Sequence, residues 1–247
     1  MASMEYPAMP PVCSRCAVRS RSLCAKLDPV ELGALNRISR PRSFSAGQII
    51  VTEGDTDVFG NVTSGILCEK KTLPDGREQI VSLLFPADFH GNISATAADT
   101  TVQAITSATV CTFDRATFGA LADDFPALQH AVSDYAFRAL REARDWMLLL
   151  GQKSASERVA TFMLRLATRQ ADVGCGHHTA PPLTDGARVE IPITRAQIAA
   201  YLGLTIETVS RRLTALREAG IISFDETRLF SIDRLSDLVA AAGGSET

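Results

Sequence analysis

The chain has 247 residues, of which 46% are hydrophobic and 21% are charged, and its formal net charge is −3. This composition is typical of a folded globular protein, and the length allows one large domain or two ordinary domains, each able to bury a core. The net charge gives no general attraction to nucleic acid, so any surface that binds a polyanion must be local. No stretch has the 18 or more consecutive apolar residues of a membrane span, and residues 1–12 lack the features of a secretory signal. We therefore expect a cytoplasmic protein without a membrane partner.

Three of the six cysteines lie in residues 1–27, a segment with neither helical nor strand periodicity, which predicts an irregular arm. Cys13, Cys16 and Cys24 put three thiols into a segment that has little else to hold its shape. Because cytoplasmic cysteines rarely form disulfides, this clustering indicates a metal or redox site. Three close thiolates and one distant thiolate suit an iron-sulfur cluster; structural zinc, which usually repeats a close pair, remains the alternative. The candidates for the distant ligand are Cys68, Cys111 and Cys175.

Residues 28–125 are predicted to form the roll domain, in which a short helix precedes an all-β roll or barrel that extends from residue 42 to residue 113. Asp28 is placed to cap the helix, Pro29 occupies its first position, and Glu31 can complete a capping box. Short β-branched and apolar runs, separated by turns that contain Gly, Pro and Asp, then predict strands. These runs are residues 48–52, 65–72, 78–85, 102–106 and 109–113.

A heptad pattern in residues 126–152 predicts one long helix. Apolar and small residues recur there at alternating steps of four and three. Two helices paired across a dimer seam use this spacing, although one helix lying on the roll would use much of the same face. A second helix is predicted from residue 155 to about residue 169. The seam consists of Gln129, Ser133, Ala136, Leu140, Ala143, Met147 and Leu150, and the last five are the predicted dimer contacts.

Residues 193–218 carry the signals of two short helices joined by a tight turn. Thr194 can cap the first helix with Gln197 reciprocating, and Gly203 makes the turn. Thr205 can cap the second helix, which has an apolar stripe on one side. That stripe consists of Val209, Leu213 and Leu216.

The opposite side of the second helix carries polar residues suited to reading DNA. Arg211 can donate two hydrogen bonds to a guanine edge, Glu207 can accept one from cytosine, and Ser210 can do either. Thr208 and Arg212 are placed to contact phosphates, which position a protein without reading sequence. With a β-hairpin predicted just beyond this helix, the pattern predicts a winged helix-turn-helix that binds double-stranded DNA.

Five segments beyond the cysteine arm match a known family. They are residues 63–65 (TSG), 74–80 (PDGREQI), 147–150 (MLLL), 156–160 (SERVA) and 201–211 (YLGLTIETVSR), and the last is the most specific. Over nearly its whole length the chain resembles the Crp/Fnr superfamily, in particular the oxygen-responsive fumarate and nitrate reduction regulators.

This resemblance implies a [4Fe-4S] cluster bound by Cys13, Cys16, Cys24 and Cys111, since Cys111 corresponds to the family's distant ligand. It also implies an anaerobic homodimer that binds inverted repeats of TTGAT-like half-sites and contacts RNA polymerase through the turn around residues 70–79. The gap between Cys16 and Cys24 is longer than in enteric members. The alternative is a regulator of the same type that holds structural zinc or responds to haem or nitric oxide.

Other functions of related folds are not expected. The segment Phe89-His90-Gly91-Asn92 lacks the glutamate, and residues 98–103 lack the arginine, with which relatives bind a cyclic nucleotide. No nucleophile elbow, phosphate-binding loop or zinc-protease motif occurs, so the protein is not expected to be an enzyme.

The expected architecture is α+β: a β-roll like that of cyclic-nucleotide-binding domains, a long dimerisation helix, and a C-terminal winged helix-turn-helix. The expected boundaries are residues 1–27 for the cluster-binding arm, 28–125 for the roll, 126–152 for the dimerisation helix, 153–240 for the DNA-binding domain, and 241–247 for the tail.

Overall fold

The computed structural model describes residues 10–56, 58–91, 97–174, 182–225 and 229–244. These residues divide into two compact units. One contains the residues up to Lys71 together with Ser82–Leu140, and the other contains Thr72–Val81 and Arg141 onward. No helix among the described residues is long and apolar enough to cross a membrane.

The arm contains two short helical turns, so the prediction of a wholly irregular arm was wrong. Helix α1 spans Pro11–Ser14 and begins with a proline, whose fixed φ suits a first helical turn. A 3₁₀ turn spans Leu23–Lys26, and the Ser22 side chain accepts a hydrogen bond from the Cys24 backbone N–H. Helix α2, Pro29–Ile38, follows with the predicted capping box between Asp28 and Glu31.

Two antiparallel four-stranded sheets form the roll, as predicted. One sheet has the strand order β1-β8-β3-β6 and the other β2-β7-β4-β5. Strands β1, β3 and β6 were not predicted, because each is short or lacks an apolar alternation. The strands are β1 Ser39–Phe44, β2 Ile49–Val51, β3 Gly60–Ser64, β4 Leu67–Thr72, β5 Glu78–Leu84, β6 Phe89–His90, β7 Thr101–Ala104 and β8 Ala108–Phe113.

Strands β3 and β8 approach each other closely at Gly60. A Cβ atom at this position would lie 2.4 Å from the carbonyl oxygen of Cys111 and 2.9 Å from the Cα of Thr112. Both neighbours are backbone atoms, which cannot move aside as the end of a flexible side chain can. Only glycine therefore fits opposite this part of β8.

Three helices follow the roll. Helix α3, Arg115–Asp124, follows the last predicted strand and was not predicted, and the Asp114 side chain caps it by accepting from the Thr117 backbone N–H. Helix α4, Pro126–Gln152, has the predicted bounds, whereas helix α5, Ala155–Gly174, is longer at its end than predicted. Helix α4 runs from the first unit into the second.

The C-terminal part is a winged helix-turn-helix. Its two central helices are α6, Arg195–Leu202, and α7, Ile206–Glu218. The predicted hairpin is present and gains a third antiparallel strand that was not predicted. The strands are β9 Arg188–Glu190, β10 Ile222–Phe224 and β11 Leu229–Ile232, and a final helix α8 spans Leu235–Ala241.

Candidate functional site

Four cysteines from separate parts of the first unit line one cavity of about 260 Å³, called here the cysteine cavity. Cys13 lies in α1, Cys16 follows it, Cys24 lies in the 3₁₀ turn, and Cys111 lies in β8. Of the other two candidate ligands, Cys68 is fully buried and is not among the described residues that line the cavity. Cys175 lies outside the described residues.

Burial raises the pKa of three of the cavity thiols, those of Cys13, Cys24 and Cys111. It raises the pKa of Cys24 to about 12, an effect that the Ser22 side chain opposes by hydrogen bonding and that Cys111, Cys13 and Cys16 reinforce by charge repulsion. Burial is also the largest cause of the raised pKa values of Cys13 and Cys111. Because metals bind the thiolate, metal uptake here must release protons.

Three polar side chains from outside the arm contact the thiols. The Cys13 thiol donates to Asn36 Oδ1 in α2, with 3.6 Å between the atoms. Asn61 Nδ2 in β3 donates to Cys24 Sγ at 4.0 Å, and a hydrogen bond with Ser39 lowers the pKa of Cys111 against the larger effect of burial. Sequence analysis missed these partners, since nothing in the local pattern marks a residue that reaches a cysteine far along the chain.

The volume of the cysteine cavity and its sulfur donors bear on the kind of group that it could hold. Among the described residues, no three His, Cys, Asp or Glu side chains converge closely enough to hold one metal ion. The volume of about 260 Å³ also exceeds what one ion or one water molecule needs. Four thiols around such a space are a donor set suited to an iron-sulfur cluster.

Packing connects the arm to helix α4. Leu23 and Leu27 of the arm share a buried apolar cluster with Leu128 and Ala131 of α4, and Cys13, Cys24 and Cys111 pack against it. Lys26 also forms an ion pair with Asp134 of α4. Because both partners of this pair are mostly exposed, the apolar contact contributes more to the connection than the charges do.

Most of the predicted seam on α4 is open in the single chain. Ala136, Leu140, Ala143 and Met147 are exposed, Met147 by 72%, and Leu150 is half-buried. The helix packs on its own chain through a different set of residues, so the seam residues from 136 to 147 remain available to a second subunit. The buried set is Leu128, Ala131, Trp146 and Leu149.

Arg158 of α5 joins three elements of the second unit. All three nitrogens of its guanidinium group donate to backbone carbonyl oxygens. Nη2 donates to Leu150 at 2.6 Å, Nε to Lys153 at 2.9 Å and Nη1 to Leu202 at 3.2 Å. Carbonyls at the end of a helix have no partner within that helix, and a cation there also suits the helix dipole. Arg158 therefore fastens the end of α4 to the end of α6.

We expect Arg158→Met to destabilise the second unit by roughly 2–3 kcal/mol, because it leaves three carbonyl oxygens without their charged donor. Urea unfolding followed by circular dichroism measures the loss. Arg144→Met, which removes an exposed arginine from α4, is the matched control and should change stability little. Equal stability of the two variants would contradict the role of Arg158.

The caps and turn of the helix-turn-helix match the sequence predictions. Thr194 and Gln197 form a capping box at the start of α6, and Thr205 caps α7 by accepting from the Thr208 backbone N–H. Gly203 adopts the left-handed conformation, with φ of 61°, which favours glycine over residues with a side chain. The predicted stripe of Val209, Leu213 and Leu216 is buried.

The predicted DNA-reading residues lie on the side of α7 away from that stripe. Glu207, Arg211 and Arg212 are exposed, while Thr208 and Ser210 are half-buried. Hydrogen bonds from its own backbone N–H and from Thr205, together with the nearby Arg211 charge, lower the pKa of Glu207. Arg211 is 3.4 Å from the Thr208 hydroxyl, to which it donates. This surface thus presents both an anionic acceptor and cationic donors.

Two family models match the chain. One is described as a Crp-like helix-turn-helix domain and matches residues 157–240. The other is described as a cyclic nucleotide-binding domain and matches residues 41–125. Together they cover the roll and the C-terminal domain.

Full-length relatives agree with these matches. The transcriptional activator protein FnrL of Cereibacter sphaeroides is 35% identical, and the match covers 97% of this chain and 95% of the relative. The nitrogen fixation regulation protein FixK of Bradyrhizobium diazoefficiens is 38% identical over 93% of this chain and 94% of the relative. Among solved structures, FixK2 from Bradyrhizobium japonicum aligns with a TM-score of 0.74 and 29% identity, covering 85% of this chain and 99% of FixK2.

Proposed function

Since the chain belongs to the Crp/Fnr family of transcription regulators, and is an activator of the Fnr and FixK type rather than an enzyme, we propose that an oxygen-labile [4Fe-4S] cluster governs its binding to DNA. Cys13, Cys16, Cys24 and Cys111 would hold the cluster. The observation that carries this proposal is the convergence of these four thiols on one cavity. When bound, the cluster would supply the reactivity towards oxygen that the side chains themselves lack.

The cysteine ligands would fix the arm to the roll, because three lie in the arm and Cys111 lies in β8. The ordered arm holds Leu23 and Leu27 against the first half of α4. Loss of the ligand bonds would free the arm and weaken this packing. The state of the arm would in this way bias the position of α4 and its seam.

The seam would pair two subunits into a homodimer. Its exposed Leu140 and Met147 gain burial only when a second α4 covers them. A two-fold dimer presents two copies of α7 about 34 Å apart, one turn of DNA, and so binds an inverted repeat. We infer TTGAT-like half-sites from the match of residues 201–211 to the family pattern.

We expect Arg211→Ala to weaken binding to the specific site by roughly 1–3 kcal/mol and binding to random DNA very little, because Arg211 reads a base edge. Fluorescence anisotropy with both DNAs at one salt concentration measures the two losses. Arg212→Ala is the control: a phosphate contact should affect both DNAs alike. Equal losses on both DNAs for Arg211→Ala would refute its role in reading bases.

Two further features complete the proposal. The tip of the β4–β5 hairpin, with Asp75 and Arg77 exposed, would contact RNA polymerase in the cytoplasm. No cyclic nucleotide is expected as a signal, because residues 89–92 lack the glutamate and residues 98–103 lack the arginine with which relatives bind it. Within this segment His90 is buried and pairs with Glu69 at 2.7 Å.

The deciding experiment is to measure iron, acid-labile sulfide and zinc per chain in protein purified without oxygen, before and after brief exposure to air. The proposal expects about four irons and four sulfides that fall in air. One stable zinc and no sulfide would overturn it and leave a zinc-containing regulator. Protein with neither metal would point to another effector, such as haem or nitric oxide.

A further inference from the structure

Asn61 is a buried amide in the wall of the cysteine cavity. Its side chain is in β3, and the residue is only 3% exposed. It lies directly opposite Cys111 in the β3–β8 ladder, and its Nδ2 donates to Cys24 Sγ. The amide thus lies beside two of the four thiols, one from the arm and one from the roll.

Only the nitrogen of the Asn61 amide has a hydrogen-bond partner among the described residues. Its Oδ1 is buried and has no hydrogen-bond partner among the described residues. Burying such an atom costs free energy that an apolar side chain of the same shape would avoid. Buried unsatisfied groups in native proteins therefore call for a specific reason, such as a redox role or an absent bound group.

A hydrogen bond from Asn61 Nδ2 to a thiolate sulfur is a reason to keep an amide at this position, although its oxygen stays unpaired. A donor beside a cluster ligand stabilises the more negative, reduced state, and such bonds are one of the levers that set cluster potentials. Bonds to a charged acceptor are also shorter than bonds to a neutral one, so the 4.0 Å contact should tighten when Cys24 becomes a thiolate.

We propose that Asn61 donates a hydrogen bond to the Cys24 thiolate of the cluster-bound protein, raises the reduction potential of the cluster and slows its loss in air. This inference rests on the proposed function. Asn61 is a positioning residue and not a metal ligand, because the four cysteines complete the ligand set of the cluster.

The test compares wild type with Asn61→Leu, which keeps the shape of the side chain and removes its donor. The leucine variant should take up the same iron and sulfide, show a lower reduction potential by spectroelectrochemistry, and lose its visible absorption in air severalfold faster. Thr63→Val is the matched control: Thr63 also lines the cavity, but its hydroxyl donates to the Thr109 carbonyl at 3.0 Å. This control should leave the reduction potential unchanged.

An unchanged potential in Asn61→Leu would overturn the inference while leaving the proposed function intact. Wild-type protein without iron and sulfide would instead overturn the proposed function. If the leucine variant fails to take up iron, the test compares Asn61→Ser with Asn61→Ala instead. Serine and alanine are similar in size, and only serine has a hydroxyl group that can donate a hydrogen bond. The serine variant should have the higher potential, and equal potentials would also overturn the inference.

Discussion

Replacing Cys111 by serine is expected to eliminate the cluster and specific DNA binding, although the protein remains folded. Iron and sulfide per chain should fall by at least roughly tenfold, because even changes to residues behind a metal ligand weaken binding 10–100-fold. Cys111 is the one ligand contributed by the roll, so its loss also frees the arm from β8. Iron analysis and visible spectra under anaerobic conditions measure the effect, and far-ultraviolet circular dichroism checks the fold.

Cys68→Ser is the matched control, since Cys68 also lies in the roll but is not among the residues described as lining the cavity. This variant should retain the cluster, even if the added hydroxyl lowers the stability of the roll. If Cys68→Ser lost the cluster while Cys111→Ser kept it, the assignment of the distant ligand would be wrong.

Replacing Leu140 by glutamate is expected to raise the dissociation constant of the dimer at least roughly 100-fold. Each subunit loses the burial of a leucine, on the order of 1.5 kcal/mol apiece. The two new carboxylates also face each other across the two-fold axis of the seam and repel. Sedimentation velocity over a range of protein concentrations, on anaerobic protein, measures the shift.

Arg141→Glu tests whether the effect belongs to the seam. Arg141 is the next residue and is also exposed, but the heptad pattern places it on the side of α4 away from the seam. Arg141→Glu changes the charge of the helix more than Leu140→Glu does, yet this variant should still form the dimer. Equal dissociation by both variants would show that the helix pairs through another face.

Most of the helical part of the fold could be predicted from local signals. The Asp28 and Thr194 capping boxes and Gly203 each act within a few residues, so the sequence alone identifies them. The heptad from Gln129 to Leu150 likewise predicted the long helix α4. Helix α3 has a similar local signal in Asp114, whose side chain caps it, yet the sequence analysis did not predict this helix.

The strands that were missed depend on distant partners. In β3 the residues Gly60, Asn61 and Val62 are all buried, so the pattern lacks the alternation of an exposed strand. Strand β1 is mostly polar and contains Pro41, so it is recognisable only through its pairing with β8.

The candidate site was predictable in its cysteines but not in their surroundings. The spacing of Cys13, Cys16 and Cys24 marks the arm, whereas choosing among the distant cysteines needed either the family resemblance or the structure. Asn36 and Asn61 reach the thiols only because α2 and β3 pack next to the arm. Such contacts leave no local pattern in the sequence.

The close approach of β3 to β8 makes the cysteine cavity dependent on a residue that has no side chain. Alanine at position 60 would press a methyl group against the Cys111 carbonyl and push β8, with Cys111, out of place. A relative that kept all four cysteines but carried a larger residue there would therefore lose the cavity. Counting cysteines is thus a poor guide to which members of the family can hold a cluster, and surveys of their genomes should also examine position 60.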